Sequence, residues 1–319
     1  MALATASSSE TGVRQQSHLW LVGISILAGL VISTFWSAEF VDQQIGATIA
    51  DTLLGDNART MTISGVLIGL VYALVSGFAG AFTACNICAF SAIAPLAADK
   101  RSLGHVLKPI LYLTIGMVTV SGVYGAIGAL IGPALPQLST VRLGDPNTGF
   151  QVRLIQSMVI FVGIGMIYIA WGLISLNLLR SPFASLNERY PWARSVFMGA
   201  TIGAFLIGRP YGLFRHLFEY AASTHNPLVG MLAFVLQSLG NVVIMLVLFL
   251  ALVYGTGGRF ERWLHAEPDR VARLTGIALL IGGTFFCAYW GPRLLARNDM
   301  FFWPYWNWST MELLFRAHR

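Results

Sequence analysis

Charged residues are scarce in this chain. Asp, Glu, Lys and Arg make up only 11% of its 319 residues, less than half of the roughly 25% that soluble domains carry. This shortage excludes a soluble globular enzyme, and a hydrophobic content of 56% excludes a disordered chain. The chain also lacks a P-loop pattern and a sizeable soluble domain, so we expect no nucleotide-driven or hydrolytic activity. The class that remains is a polytopic membrane protein.

Seven apolar stretches approach or exceed the roughly 20 residues that a membrane-spanning helix needs. They lack the alternation of a membrane barrel, so an all-α protein with seven transmembrane helices is expected. The second stretch would be about 58 Å long as one straight helix, which predicts a break between residues 82 and 95. The stretches are 19–38, 60–98, 109–141, 154–179, 195–222, 226–258 and 274–292.

The basic residues of the loops predict the orientation, because cytoplasmic loops are enriched in Lys and Arg. If the N-terminus is cytoplasmic and the C-terminus is periplasmic, the loops with more Lys and Arg lie in the cytoplasm. The cytoplasmic residues are Arg14, Lys100, Arg101, Lys108, Arg180, Arg189, Arg194, Arg259, Arg262, Arg270 and Arg273, against Arg59, Arg142, Arg153, Arg209 and Arg215 outside. Four more arginines follow the last stretch, Arg293, Arg297, Arg316 and Arg319. The net charge of +6 therefore has a topological explanation, and we expect a lipid bilayer rather than a nucleic acid as partner.

Cysteine is also rare, with only three residues, Cys85, Cys88 and Cys287. Attachment of haem is excluded because Ala89, not His, follows the Cys85-x-x-Cys88 pair. Tetrahedral zinc needs four ligands, so neither a metal nor another cofactor is expected. Two interpretations remain open. The pair is a dithiol that cycles with a disulfide, or both residues are ordinary small apolar side chains.

Glycine-rich segments at 65–88 and 195–212 look alike, and each meets an unusual patch at mid-span. Two further apolar stretches follow each of them. This pattern predicts one N-terminal helix and a 3+3 repeat whose halves have opposite orientations, with the functional site where broken helices meet. The alternative is that glycine simply permits close packing of membrane helices.

The fifth stretch contains Arg209, Pro210 and Tyr211 well inside its apolar run. An ionisable residue inside a membrane is costly and points to function. We expect these residues to form a binding site, in which Arg209 holds an anion or stabilises a thiolate on Cys85.

Arg215, His216 and Glu219 follow in the same stretch. Arg215 and Glu219 have the spacing of an ion pair on one helix face, and the spacing of His216 and Glu219 suits two ligands of a metal. They are predicted as further binding residues. The alternative is that the helix has already reached the outer interface here, where charged side chains are solvated.

The pattern around these residues resembles the transmembrane thiol-disulfide family of cytochrome c biogenesis, the CcdA/DsbD-like proteins. The likeness rests on residues 77–85, 199–210 and 226–230 and covers roughly residues 60–295. It implies two inverted three-helix halves and a relay of thiols that carries reducing equivalents outward. The chain departs from the family in its second half, where Pro210-Tyr211 replaces the expected Cys.

The extra N-terminal helix and the divergent cysteines are similar to one branch, the membrane accessory proteins of methylamine utilisation. This resemblance implies an inner-membrane accessory protein, at most a thiol-disulfide carrier, that helps to mature a periplasmic redox enzyme such as methylamine dehydrogenase or a c-type cytochrome. Its partner would be that redox protein or a thioredoxin-like protein. Two alternatives stay open, an inverted-repeat transporter of a small solute or metal ion and a non-catalytic membrane scaffold.

The chain is expected to divide into three parts. Residues 1–59 hold the first helix and an outer loop, 60–295 form the CcdA/DsbD-like membrane domain, and 296–319 form the tail. Residues 301–308 of this tail are rich in Phe, Trp and Tyr. Such clusters lie at membrane interfaces, so we expect the tail to lie along the outer headgroup surface or to dock a periplasmic partner.

Overall fold

The computed structural model describes residues 2–37, 39–55, 57–81, 103–144, 149–181, 189–190, 192–255, 266–267 and 269–306. These residues are mainly helical. The elements are α1 (Ala2–Phe35), a π-helical segment (Glu39–Ile45), α2 (Gly46–Leu54), α3 (Val66–Gly80), α4 (Leu103–Ile131), the 3₁₀ turns Gly132–Ala134 and Pro136–Leu138, β1 (Arg142–Leu143), β2 (Phe150–Gln151), α5 (Val152–Ser175), α6 (Ala193–Gly208), α7 (Gly212–Thr224), α8 (Pro227–Gly255), α9 (Arg270–Trp290) and α10 (Pro292–Ala296).

The prediction of a helical membrane protein agrees with the long apolar helices of the structure. Within the described residues, four helical segments are long and apolar enough to cross a membrane, and the bent pair α6–α7 adds a fifth. Two shorter apolar helices, Leu19–Phe35 and Val66–Gly80, coincide with the first two predicted stretches. The four long segments are Lys108–Ala134, Val152–Ser175, Pro227–Ile244 and Arg270–Ala296.

Two of the predicted stretches differ in detail from the helices that they contain. The third stretch continues past α4 into two short 3₁₀ turns, which place a proline at the start of each. An antiparallel pair of two-residue strands then leads into α5. The fifth stretch divides into two helices at an 84° bend. Apolar composition predicted the helices of these two stretches. The 3₁₀ turns that follow α4 and the bend that follows α6 depend instead on proline.

Glycine forms the contacts between the long helices. A Cβ added to Gly165 of α5 would lie 2.8 Å from the carbonyl oxygen of Gly283 on α9. At the contact of α4 with α8, a Cβ on Gly125 would lie 2.5 Å from the carbonyl oxygen of Gly230. In lipid, helices associate by close packing rather than by the hydrophobic effect. Glycine therefore brings these backbones together, as its abundance in the sequence suggested.

The same contacts fix the directions of several helices. Gly199 of α6 packs against Leu113 of α4, and Gly203 packs against Met117, one turn further along both helices. Helices α4 and α6 are therefore parallel. By the same criterion α5 and α9 are antiparallel, because Gly172 of α5 lies beside Gly276 of α9. This second contact lies further along α5 and earlier along α9 than the contact of Gly165 with Gly283.

Two clusters of buried side chains form the core. One joins α5, α6 and α9 through Phe161, Phe205 and Phe286, whose rings lie 5.3 to 5.9 Å apart. The other joins α7 and α8 through Phe218 and Phe234, whose ring centroids lie 4.2 Å apart. The end of α6 contributes to both clusters, so the bend after α6 lies between them.

Candidate functional site

The helix break between α6 and α7 follows from three consecutive residues. Pro210 has no backbone N–H and disfavours a helical conformation in the residue before it. Arg209 accordingly has φ −90° and ψ 114°, and Tyr211 is also extended with φ −79° and ψ 132°. Pro210 itself is exposed, so it acts on the backbone of the break and not through contacts in the core.

Two glutamine side chains bind the carbonyl groups at this break. Gln156 of α5 donates its Nε2–H to the carbonyl oxygen of Ile207 at 2.8 Å. Gln137, from the turn after α4, donates to the carbonyl oxygen of Arg209 at 2.5 Å. A continuous helix would bond these carbonyls to N–H groups one turn later. In a membrane an unbonded carbonyl is costly, so the two side chains stabilise the break.

Arg209 is buried, with only 4% of its surface exposed. Its Nη1 donates to the carbonyl oxygen of Gly80 at 3.3 Å. The guanidinium lies over the rings of Tyr211 and Phe214, at 4.7 and 4.8 Å from their centroids. Gly80 is the last residue of α3, and the C-terminus of a helix carries a partial negative charge. The cation is therefore stabilised by a helix end and two aromatic faces.

The packing of α6 on α4 gives the depth of this arginine. Gly203 packs against Met117, and one turn earlier Gly199 packs against Leu113. The two helices therefore keep the same register over this contact. If this register continues to the end of α6, Arg209 lies level with Val123. That position is near the middle of the segment Lys108–Ala134. The break lies far from both ends of a helix that is long enough to span a membrane. Irregular backbone at such depth occurs where it is enclosed by protein or lines a cavity.

Amide side chains of α8 lie beside the same end of α3. A Cβ on Gly80 would lie 3.2 Å from Oδ1 of Asn241. One turn earlier on α8, Gln237 is 1% exposed and packs against Gly77 through its backbone. The C-terminus of α3 therefore lies beside the guanidinium of Arg209 and the carboxamide of Asn241. None of the predicted site residues is an amide, although Gln137, Gln156, Gln237 and Asn241 stand as isolated amides in the apolar stretches of the sequence.

Tyr211 connects the break to α2. Its side chain is almost completely buried, and its ring lies edge-on to Phe214 with centroids 5.1 Å apart. A Cβ on Gly46, the first residue of α2, would lie 3.2 Å from Cζ of Tyr211. The segment predicted as an outer loop after α1 thus contains a helix that packs against the break.

Arg215, His216 and Glu219 form a separate cluster on α7. Glu219 accepts bonds from Nε of Arg215 at 3.1 Å and, at 3.4 Å, from Nδ1 of His216 when that nitrogen is protonated. Nε2 of His216 lies 2.7 Å from the carbonyl oxygen of Met61, which accepts a hydrogen bond from it. Glu219 is exposed, and Arg215 and His216 are partly exposed. The expected ion pair is present, and the cluster lies on the outer face of α7.

The spacing of His216 and Glu219 suits two ligands of a metal, and a metal site would need further ligands beside them. The described residues contain no group of three or more His, Cys, Asp and Glu side chains that could hold a metal ion. Cys85 and Cys88 lie outside the described residues. Cys287 of α9 is partly buried and donates weakly from Sγ to the carbonyl oxygen of Val162 at 3.7 Å. The chemistry of this cysteine is that of a packed thiol between α9 and α5.

Comparisons of the chain with protein-family models, with curated proteins and with solved structures find no match.

Proposed function

We propose that this chain is an integral membrane accessory protein that supports the maturation of a periplasmic redox enzyme, a methylamine dehydrogenase or a c-type cytochrome system. In this proposal Cys85 and Cys88 pass reducing equivalents across the bacterial inner membrane. The observation that carries the proposal is the buried guanidinium of Arg209 at the carbonyl of Gly80. Cys85 follows Gly80 by five positions along the chain, a distance of at most about 18 Å.

The proposed architecture is a seven-span bundle with the N-terminus in the cytoplasm and an inverted 3+3 repeat. The helix contacts support the repeat. If α3, α4 and α5 correspond to α6, α8 and α9, the contact of α3 with α8 corresponds to that of α6 with α4. The contacts of α4 with α8 and of α5 with α9 correspond to themselves. The antiparallel directions of α5 and α9 fit halves of opposite orientation.

The proposed chemistry is thiol-disulfide exchange. The thiolate of Cys85 attacks a disulfide of the periplasmic partner and forms a mixed disulfide. Cys88 then attacks Cys85, which releases the partner as a dithiol and leaves a Cys85–Cys88 disulfide. A thioredoxin-like dithiol on the cytoplasmic side reduces that disulfide again and is itself oxidised. A positive charge near the attacking sulfur favours its thiolate form, and this is the role proposed for Arg209.

The test measures the rate at which Cys85 reacts with a small alkylating agent across pH, in the Cys88→Ser, Cys287→Ser protein. We expect Arg209→Leu to shift the reactivity profile toward higher pH and Arg209→Lys to shift it less. Arg215→Leu is the matched control, because that arginine is partly exposed on α7 and pairs with Glu219. An unchanged profile in Arg209→Leu would remove the proposed role of this arginine.

The bend of 84° between α6 and α7 favours a second candidate, a transporter of a small solute or metal ion. Broken helices at the meeting point of inverted repeats form the binding sites of many transporters. Maturation of the partner enzyme separates the candidates. If the Cys85→Ser, Cys88→Ser protein still supports maturation, the thiol mechanism is wrong, and transport or a scaffolding role gains support.

A further inference from the structure

Residues 300–306, here named the aromatic strap, carry large apolar side chains that the protein leaves uncovered. Phe302 is 88% exposed, and Phe301, Tyr305 and Trp306 are also exposed. The polar turn Arg297, Asn298 and Asp299 connects α10 to the strap, and Asp299 has a positive φ of 56°. The chain thus changes from polar to strongly apolar within a few residues.

A buried arginine fastens the strap to the end of α1. Arg293 is 4% exposed, and it donates to the carbonyl oxygens of Ser33 and Trp36, the latter from Nη2 at 2.6 Å. Its guanidinium lies over the rings of Tyr289 and Tyr305, at 4.7 and 5.9 Å from their centroids. Carbonyl groups at the C-terminus of a helix lack partners within it, so Arg293 satisfies the end of α1 and holds the strap there.

A backbone hydrogen bond fixes the far end of the strap. The N–H of Trp306 donates to the carbonyl oxygen of Thr34 at 3.0 Å, and its ring lies 5.9 Å from that of Phe35. The strap therefore runs from the end of α10 back to the end of α1. It passes across the ends of two neighbouring helices instead of leading away from them.

These two helix ends lie at the same level. Gly29 of α1 packs beside Ile281 and Phe285 of α9, and Arg293, further along, reaches Ser33 and Trp36. Helices α1 and α9 are therefore parallel and end together. Helix α1 is apolar up to its end at Phe35, and α9 belongs to the segment Arg270–Ala296, which is long enough to span a membrane. The strap thus lies at the level where the apolar helices α1 and α9 end.

We propose that the aromatic strap is a binding surface for the headgroup and glycerol layer of the lipid bilayer, at a depth that Arg293 fixes. Trp and Tyr prefer this layer because their rings are apolar and their edges are polar. The strap is also continuous with the exposed apolar face of α1, which includes Val31, Ile32 and Phe35 and which suits lipid contact. Lipid is therefore favoured over a protein partner. The inference does not depend on the thiol chemistry.

The test places a nitroxide label at Phe302→Cys in the full-length protein, reconstituted in phosphatidylcholine–phosphatidylglycerol nanodiscs. Collisions with oxygen report exposure to lipid, and collisions with a water-soluble nickel chelate report exposure to water. The label at Val159→Cys, on an exposed position about two turns into α5, gives the deeper reference, and free label in buffer gives the aqueous one. Wild-type protein treated in parallel corrects for the native cysteines.

We expect the label at position 302 to show oxygen accessibility between the two references and nickel accessibility several-fold below that of free label. A label as accessible to nickel as free label would overturn the proposal, because the strap would then lie in water. Protection from both reagents would also overturn it, since a protein partner or a second copy would then cover the strap. In the Arg293→Lys background, which loses the two-carbonyl contact, we expect nickel accessibility to rise at position 302 and to remain constant at position 159.

Discussion

Replacing Gln156 by Leu tests whether a side chain from another helix stabilises the break. Gln156 lies near the start of α5, more than 50 residues before the break, and its Nε2 lies 2.8 Å from the carbonyl oxygen of Ile207 and 2.9 Å from the hydroxyl of Tyr124. Leu has a similar size but no hydrogen-bonding group. The substitution leaves the shape of the site nearly unchanged and removes both hydrogen bonds.

The expected loss is about 1–2 kcal/mol of unfolding free energy. A buried polar group without a partner costs about 1–3 kcal/mol in soluble proteins, whereas hydrogen bonds between membrane helices average about 0.6 kcal/mol in double-mutant cycles. Gln156 bonds to two partners, and one of them is a carbonyl at a helix break. We therefore estimate the loss of unfolding free energy from the sum of two hydrogen bonds between membrane helices. At about 2.1 cal/mol/K of unfolding entropy per residue, a chain of 319 residues would lose about 1.5–3 °C in melting temperature.

The assay is thermal unfolding of purified protein in nanodiscs, with Gln151→Leu as the matched control. Gln151 accepts a bond from Arg153 and makes no contact with the break. The double-mutant cycle with Tyr124→Phe should give a coupling of about 0.5 kcal/mol. The reasoning is refuted if Gln156→Leu leaves the melting temperature unchanged, or if it lowers the temperature no more than Gln151→Leu does.

Two further predictions concern helix packing and the exposed cluster. Gly199→Ala places a methyl group against the carbonyl of Leu113 and should cost about 1–3 kcal/mol by overpacking. Gly163→Ala, which meets open space, should stabilise its helix by up to about 1 kcal/mol; equal melting temperatures for the two variants would contradict the packing. Glu219→Gln removes the ion pair with Arg215, which is about one-third exposed at the arginine and half exposed at the carboxylate, so its loss should lower the unfolding free energy by less than about 1 kcal/mol in low salt. A larger loss would mean that this pair is shielded from water.

The long helices could be predicted from the sequence because their cause is local. Apolar runs in lipid must satisfy their backbone internally, and this requirement alone produces α5, α8 and α9 close to the predicted bounds. The bend between α6 and α7 could be predicted only as an interruption at Pro210. Its angle of 84° and its stability depend on Gln137 and Gln156, which are distant in the sequence.

The candidate site shows the same division. The position of Arg209 inside an apolar stretch indicated a buried functional cation, and the structure places it in the interior. Its acceptor, the carbonyl of Gly80, could not be predicted, because a backbone group at a helix end carries no sequence signal. The predicted site residues also separate into two groups. Arg209 and Tyr211 lie in the core, whereas His216 and Glu219 lie on the outer face of α7.

Arg209 and Arg293 occupy related positions, and this bears on the predicted orientation. Each follows a long helix beside a proline, each donates to carbonyls at the C-terminal end of another helix, and each lies over aromatic rings. Loop arginines influence topology when they lie in flanking loops near the membrane. Arg209 is instead buried beside the end of α3. It should therefore be removed from the predicted outer set, which leaves Arg59, Arg142, Arg153 and Arg215, and the count that predicts a cytoplasmic N-terminus becomes more uneven.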